Sequence, residues 1–240
     1  MPGSPPPAPR SGGLRLGGIT PLSLTDYPGR LSAVLFCQGC SWSCVYCQNP
    51  HLMPADAPPE ADWATALAFL RRRQGLLDAV VFSGGEPTMQ AGLADAMREA
   101  LAMGFQIGLH TAGPSPERLA EVLPLVDWVG FDVKAPFDAY ERINGVPGSG
   151  AKVRESLRLL IESGVDHECR TTCHPSLTAA PELAALTESL LAMGARRHVL
   201  QPFRAEGCRS EELNAAAEPG SVARLLDQAA ELSWRVERRG

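Results

Sequence analysis

An amphipathic helical stretch, a glycine, a short apolar strand and a polar loop recur in turn along this chain, and that recurrence constrains its fold more than any other feature. Helical stretches are predicted at 59–74, 91–103, 116–123, 152–163 and 180–193, with Gly75, Gly104, Gly164 and Gly194 just past four of them. Glycine at that place is a helix C-cap, since it alone takes positive φ without strain. In the stretch 152–163, Val153, Leu157, Leu160 and Ile161 share one face and Arg154, Glu155, Arg158 and Glu162 the other, so the apolar face should rest on a sheet. Strands are predicted at 31–36, 79–83, 105–110, 128–133, 166–172 and 198–201. Strands separated by helices imply right-handed βαβ units and a parallel sheet; periodicity leaves a partial barrel and an open doubly wound sheet both open. In either, ligands gather at the carboxyl ends of the strands. A loop follows Gln201, then a helix at 218–231 and a tail at 233–237 that reads as edge strand or coil.

Composition narrows the function classes. With 240 residues, 45% of them hydrophobic, the chain can bury the core of one large α/β domain, expected at 14–240. The Pro/Gly/Ser-rich stretch 1–13 reads as a disordered tail. A net charge of −5 disfavours nucleic acid and anionic membrane as partners. The runs Arg71-Arg72-Arg73 and Arg196-Arg197 read as solvated charges near helix ends. No export signal or membrane span is expected, and seven crowded cysteines do not resemble a disulfide framework, so a reducing, cytoplasmic setting is expected.

Four of those cysteines fall in Cys37-Gln-Gly-Cys40-Ser-Trp-Ser-Cys44-Val-Tyr-Cys47, the loop after the first predicted strand. Thiolates select soft metals: zinc, copper(I) or iron–sulfur clusters. Structural zinc takes two close Cys pairs separated by a longer loop, whereas this single compact loop suits three corners of a cubane and leaves one iron without a protein ligand. Cys37 reads as an inert core thiol beside that trio. Cys169, Cys173 and Cys208 read as core or loop thiols before ligands of an auxiliary cluster, and His51, His167 and His198 show no ligand spacing.

The subset Cys40-x-x-x-Cys44-x-x-Cys47, with Tyr46 before the last cysteine, resembles the signature of radical S-adenosylmethionine (SAM) enzymes. The resemblance implies a partial (βα)6 barrel of parallel strands and a [4Fe-4S] cluster on Cys40, Cys44 and Cys47, its open iron chelated by SAM. The motif Ser83-Gly84-Gly85-Glu86-Pro87-Thr88 follows the second strand and looks like that superfamily's Gly-Gly-Glu-Pro element, where Gly84, Gly85 and Glu86 would receive the methionine ammonium. Asp132 and Lys134 are two apart at the end of the fourth strand and share a face; they read as a strand-end salt bridge or, by resemblance, as residues along the bound SAM. Resemblance also assigns the cofactor Tyr46, Thr111, Arg170, Thr172 and, near the adenine, Arg204.

The order Asp26-Tyr-Pro-Gly29, the cysteine loop closing in Gln48-Asn-Pro50-His51, then His110-Thr-Ala-Gly113 and Phe131-Asp-Val-Lys-Ala-Pro-Phe137, is similar to the activating proteins of anaerobic ribonucleoside-triphosphate reductase. That likeness implies reductive cleavage of SAM to a 5'-deoxyadenosyl radical, a glycyl radical made on a partner reductase, and an electron donor such as flavodoxin or ferredoxin. His110 and Ala112 depart from the pattern, where related activases often carry an acid and asparagine. A radical enzyme acting on a small molecule and a non-catalytic iron–sulfur or zinc protein are the alternatives.

Overall fold

The computed structural model describes residues 13–238 apart from Pro219 and Trp234, so the tail expected at 1–13 lies, except for Gly13, outside the described residues. In chain order the elements are β1 (Arg15–Ser23), β2 (Ser32–Cys37), β3 (Ala61–Asp62), α1 (Trp63–Arg71), β4 (Ala79–Gly84), α2 (Leu93–Ala102), β5 (Gln106–Thr111) and α3 (Pro116–Val122). They continue with β6 (Trp128–Asp132), α4 (Glu141–Asn144), α5 (Ser149–Ser163), β7 (Asp166–Cys173), α6 (Ala180–Ala192), β8 (His198–Pro202), α7 (Glu211–Ala216), α8 (Ser221–Leu232) and β9 (Glu237–Arg238).

The sheet runs β3-β1-β2-β4-β5-β6-β7-β8-β9, and β2 through β8 pair in parallel in the order of the chain. These are the six expected strands, arranged as a partial (βα)6 barrel whose two edges, β3 and β9, do not meet. Side chains alternate between the faces. Toward the helices, Leu35, Val80, Phe82, Ile107, Leu109, Val129 and Phe131 join one apolar cluster with α1, α2, α3 and α5. The inner face carries Val34, Ala79, Val81 and Trp128, and Tyr27 stacks on Trp128 at 5.3 Å to plug the barrel floor. The Asp26-Tyr-Pro-Gly29 turn therefore works from below the site.

Three differences from the sequence expectation have local causes. β1 was not expected; Gly17, Gly18 and Pro21 dilute its strand pattern, and it exists as an antiparallel partner of β2. α1 starts at Trp63 rather than 59, because the Asp62 side chain accepts from Thr65 N at 2.8 Å and caps it there. α4 and α7, at four and six residues, are too short to show a periodicity. Of the two readings open for the tail, edge strand or coil, the structure shows the first: it ends in a two-residue edge strand, β9, parallel to β8. The four glycines after the helices all have positive φ, between 73° and 104°.

Candidate active site

At the carboxyl ends of the strands opens a cleft of about 170 Å³, lined by Cys40, Cys44, Tyr46, Cys47, Gly84, Gly85, Glu86, Thr111, Asp132, Lys134 and Thr172. Eleven of the thirteen residues assigned to the site from sequence thus share one cavity. The other two do not line it. Arg170 lies a layer below, where Nε donates to Asp132 Oδ1 at 3.1 Å and a terminal nitrogen to Gly130 O at 3.1 Å. Arg204 is exposed, and its carbonyl accepts from the Gln48 side chain at 3.2 Å, which fastens the loop after β8 onto the cysteine loop.

The cysteine loop is built by its neighbours. Gly39 N and Cys40 N donate to Leu52 O and Met53 O, at 2.7 and 3.0 Å, and Val45 N donates to Ile143 O in α4 at 2.9 Å. Gly85 N and Glu86 N donate to Cys37 O and Gly39 O, each at 2.8 Å. A side chain on Gly84 would sit 2.3 Å from Cys37 N, and one on Gly85 2.3 Å from Gly39 O. Both glycines line the cleft, and the close approach they permit in the structure is that of the end of β2 and the start of the cysteine loop.

Glu86, 2% exposed, is likewise occupied. Its Oε1 accepts from Thr88 N, Thr88 Oγ1 and Thr111 Oγ1 at 3.1, 2.6 and 2.7 Å, and its Oε2 from Ala112 N at 3.0 Å. The carboxylate ties the end of β4 to the end of β5, and any contact to a ligand uses the remaining capacity of Oε2. Ala112 contributes through its backbone, so a side chain other than asparagine serves there.

Electrostatics on the floor centre on Asp132, which also takes Lys134 Nζ at 3.3 Å. Burial by itself would raise this carboxyl, but Lys134 and Arg170 outweigh it and hold it below the usual range. Burial would lower Lys134; Tyr46, Asp132 and Cys44 more than offset that, so the ammonium stays charged. His110 is pushed down to about 4 by burial and by Arg170, and is neutral at pH 7. Its Nε2 is 2.8 Å from Asp26 O, which can only accept, and 3.3 Å from Arg170 Nη1, which can only donate, while Nδ1 is 3.3 Å from Ser83 Oγ. The departure at His110 thus links the barrel interior to the Asp26 turn.

Burial drives the Cys40 thiol up to about 11 and raises Cys44, with Lys134 pulling both back. A bound iron replaces such a proton, because the thiolate is the ligand. Among the described residues no three His, Cys, Asp or Glu side chains converge on one point; a cubane, which takes each thiolate on a separate iron, does not need them to. The donor set fits a cluster with an open iron beside an amino-acid ligand: three thiols from one loop, a cation and a carboxylate on the floor, and the buried Tyr46 hydroxyl, which has no hydrogen-bond partner among the described residues.

Sequence reasoning missed several members. Trp42, Met53, Ser83 and His110 also line the cleft, and Tyr140 stands behind it with its hydroxyl on Lys134 N at 2.8 Å. No spacing signals Tyr140, since its role depends on the turn that brings it back. Cys37, Cys169 and Cys173 are fully buried and absent from the cleft, as is Cys208, whose thiol lies 3.8 Å from Val45 O.

His198, fully buried, is pushed down to about 4 by burial; its Nε2 and Nδ1 contact Thr171 and Thr187 hydroxyls at 2.8 and 2.9 Å. A histidine neutral in the fold but free to ionise at about 6.5 when unfolded contributes stability above that pH and loses it as pH falls toward 4. His198 alone should cost about 2 kcal/mol between pH 7 and pH 5, and His110 adds to it. Thermal melting of the apoprotein should therefore fall by several degrees over that interval, and a melting temperature flat from pH 7 to 5 would contradict these pKa directions.

Comparison with known proteins agrees with this geometry. The radical SAM superfamily profile matches residues 34–184. A Methanocaldococcus jannaschii protein, whose name places it provisionally among the glycyl-radical enzyme activating enzymes, is 30% identical over 82% of this chain and 83% of its own. The pyruvate formate-lyase-activating enzyme of Clostridium pasteurianum is 30% identical over 70% of this chain and 72% of its own. Among solved structures, QueE from Escherichia coli superposes with a TM-score of 0.55 at 16% identity, over 95% of this chain and 94% of its own. SuiB of Streptococcus suis bound to S-adenosylmethionine gives 0.63 at 11% identity over 84% of this chain, which spans about half of SuiB at 48%. These two structures show the fold alone. With its profile match across most of the barrel and its thiols at the mouth of the cleft, the chain belongs to the radical SAM superfamily and, within it, to the glycyl-radical enzyme activating enzymes.

Proposed function

We propose that this protein generates a glycyl radical on an anaerobic ribonucleoside-triphosphate reductase, taking its electron from a donor of the flavodoxin or ferredoxin kind. The observation that carries the catalytic part is the opening of three thiols of one loop, with Asp132 and Lys134, onto a single cleft at the strand ends. The cofactors of the family are a [4Fe-4S] cluster, to be held by Cys40, Cys44 and Cys47, and SAM. When bound, they supply one-electron cleavage of the sulfonium to methionine and a 5'-deoxyadenosyl radical, which takes hydrogen from a glycine Cα. The chain supplies the rest. Lys134 would offer a cation to a carboxylate of the ligand, Asp132 stays ionised at neutral pH and would accept from an ammonium or hydroxyl, and the plugged floor would keep water from entering below. The reductase as partner is supported by the ordered motifs from Asp26-Tyr-Pro-Gly29 to Phe131-Asp-Val-Lys-Ala-Pro-Phe137.

The test is anaerobic reconstitution with iron and sulfide, reduction, and assay for 5'-deoxyadenosine, followed by electron paramagnetic resonance after mixing with the reductase. A glycyl radical doublet with the reductase, and none with pyruvate formate-lyase, is expected. Failure of a fully loaded protein to cleave SAM sinks the enzymatic reading. Cleavage without a doublet on the reductase sinks that partner, and points to another glycyl enzyme or a small molecule.

A further inference from the structure

We propose that Tyr140 is a positioning residue that sets Lys134 relative to the three cluster thiols; the inference rests on the reading of the cleft as a SAM site. Asp132 and Lys134 leave β6 where the sheet ladder ends, so their placement depends on how the following turn is held. Val133 is tied to β7 on both sides: its N–H donates to Arg170 O at 2.8 Å and its carbonyl accepts from Thr171 Oγ1 at 2.5 Å. The flanking groups depend on one phenol. Tyr140 Oη accepts from Lys134 N at 2.8 Å and donates to Asp132 O at 3.2 Å, closing the turn from outside the sheet.

The same side chain reaches the cysteine loop. Tyr140, 1% exposed, meets Trp42 edge to face at 5.9 Å and stacks with Phe137 at 6.5 Å. Trp42 lies between Cys40 and Cys44, and three residues beyond Tyr140 the Ile143 carbonyl accepts from Val45 N, between Cys44 and Tyr46. The turn bearing the cation and the loop bearing the thiols are thus braced on one residue, and the ammonium comes to rest 5.7 Å from the centre of the Tyr46 ring. Burial keeps the Tyr140 phenol protonated, so it can donate and accept at once. An aromatic ring with no hydroxyl would keep the brace to Trp42 and lose the hold on Lys134.

The decisive variant is Tyr140→Phe in the full chain, reconstituted with iron and sulfide. SAM affinity, measured by equilibrium dialysis and as KM, should weaken about tenfold, equivalent to about 1.4 kcal/mol. Iron content should be unchanged, and turnover at saturating SAM should stay within about threefold. Unchanged affinity overturns the proposal, and so does loss of iron in parallel with affinity, which would make Tyr140 a scaffold for the loop. In the wild-type protein, the Lys134 amide should exchange with solvent at least a hundredfold more slowly than an exposed loop amide; fast exchange overturns the proposal even if the variant does not fold. Dialysis and amide exchange need no turnover. An absent glycyl radical with a normal Tyr140→Phe defect in SAM binding therefore counts against the partner alone.

Discussion

Replacing Cys44 by alanine should abolish iron retention and SAM cleavage together, whereas Cys37→Ala should leave both close to wild type. Cys44 lines the cleft between Cys40 and Cys47, within reach of the Lys134 charge, and two remaining thiols are too few to hold a cluster that already lacks a fourth protein ligand. Cys37 uses a different part of itself. Its backbone carbonyl takes Gly85 N, it pairs with Gly84 in the β2–β4 ladder, and its thiol faces the apolar cluster under the helices, where burial raises it far from the thiolate form. Cys37→Ala should cost about 1 kcal/mol of stability, as a small buried deletion does. Iron per chain, cluster absorbance and 5'-deoxyadenosine yield measure both sides of the contrast. Iron loss in Cys37→Ala comparable to that in Cys44→Ala would show that the division of the four thiols is wrong.

The second large effect is expected at Glu86. Alanine there strands the Thr88 and Ala112 amides without an acceptor at a site 2% exposed; the Thr88 and Thr111 hydroxyls can turn elsewhere. At about 1–3 kcal/mol for each buried amide left unpaired, the loss is about 4 kcal/mol, or a melting temperature lower by roughly 8–16 °C for a chain of this size. Glu86→Gln keeps the shape and replaces one acceptor by a donor, so it should fall between the two. Calorimetry of the apoproteins decides the matter without any cofactor. A Glu86→Ala protein as stable as wild type but unable to bind SAM would mean that the carboxylate serves the ligand and not the strand ends.

Much of the fold was legible because it is local in origin. A helix with one apolar face, a glycine beyond its end and a short apolar strand each announce themselves within about fifteen residues, and six strands emerged in the order of the chain. Two strands did not announce themselves: β1, which carries two glycines and a proline, owes its existence to pairing with β2, and the two-residue β3 to pairing with β1. The cleft was legible for a similar reason. Cys40, Cys44, Tyr46 and Cys47 come from one loop, and the other assigned residues that line the cleft stand at or just past strand ends, where a parallel sheet gathers its ligands. Arg170 does not itself line the cleft: strand alternation gives the face but not the depth, and Asp132 and Gly130 draw its guanidinium beneath it.

The sequence by itself determined the alternating α/β architecture, the three-thiol spacing and the strand-end positions of the polar motifs, because periodicity and spacing are properties of neighbours in the chain. Only the tertiary structure decided what each polar group is paired with. It turned the glycines of the Gly-Gly-Glu-Pro element toward the cysteine loop, committed Glu86 to four donors, made His110 a neutral link to Asp26, and placed Tyr140 against both Lys134 and Trp42. A buried polar group must find its partner among whatever the fold brings within about 3 Å, and those partners lie 2 to 84 residues away along the chain.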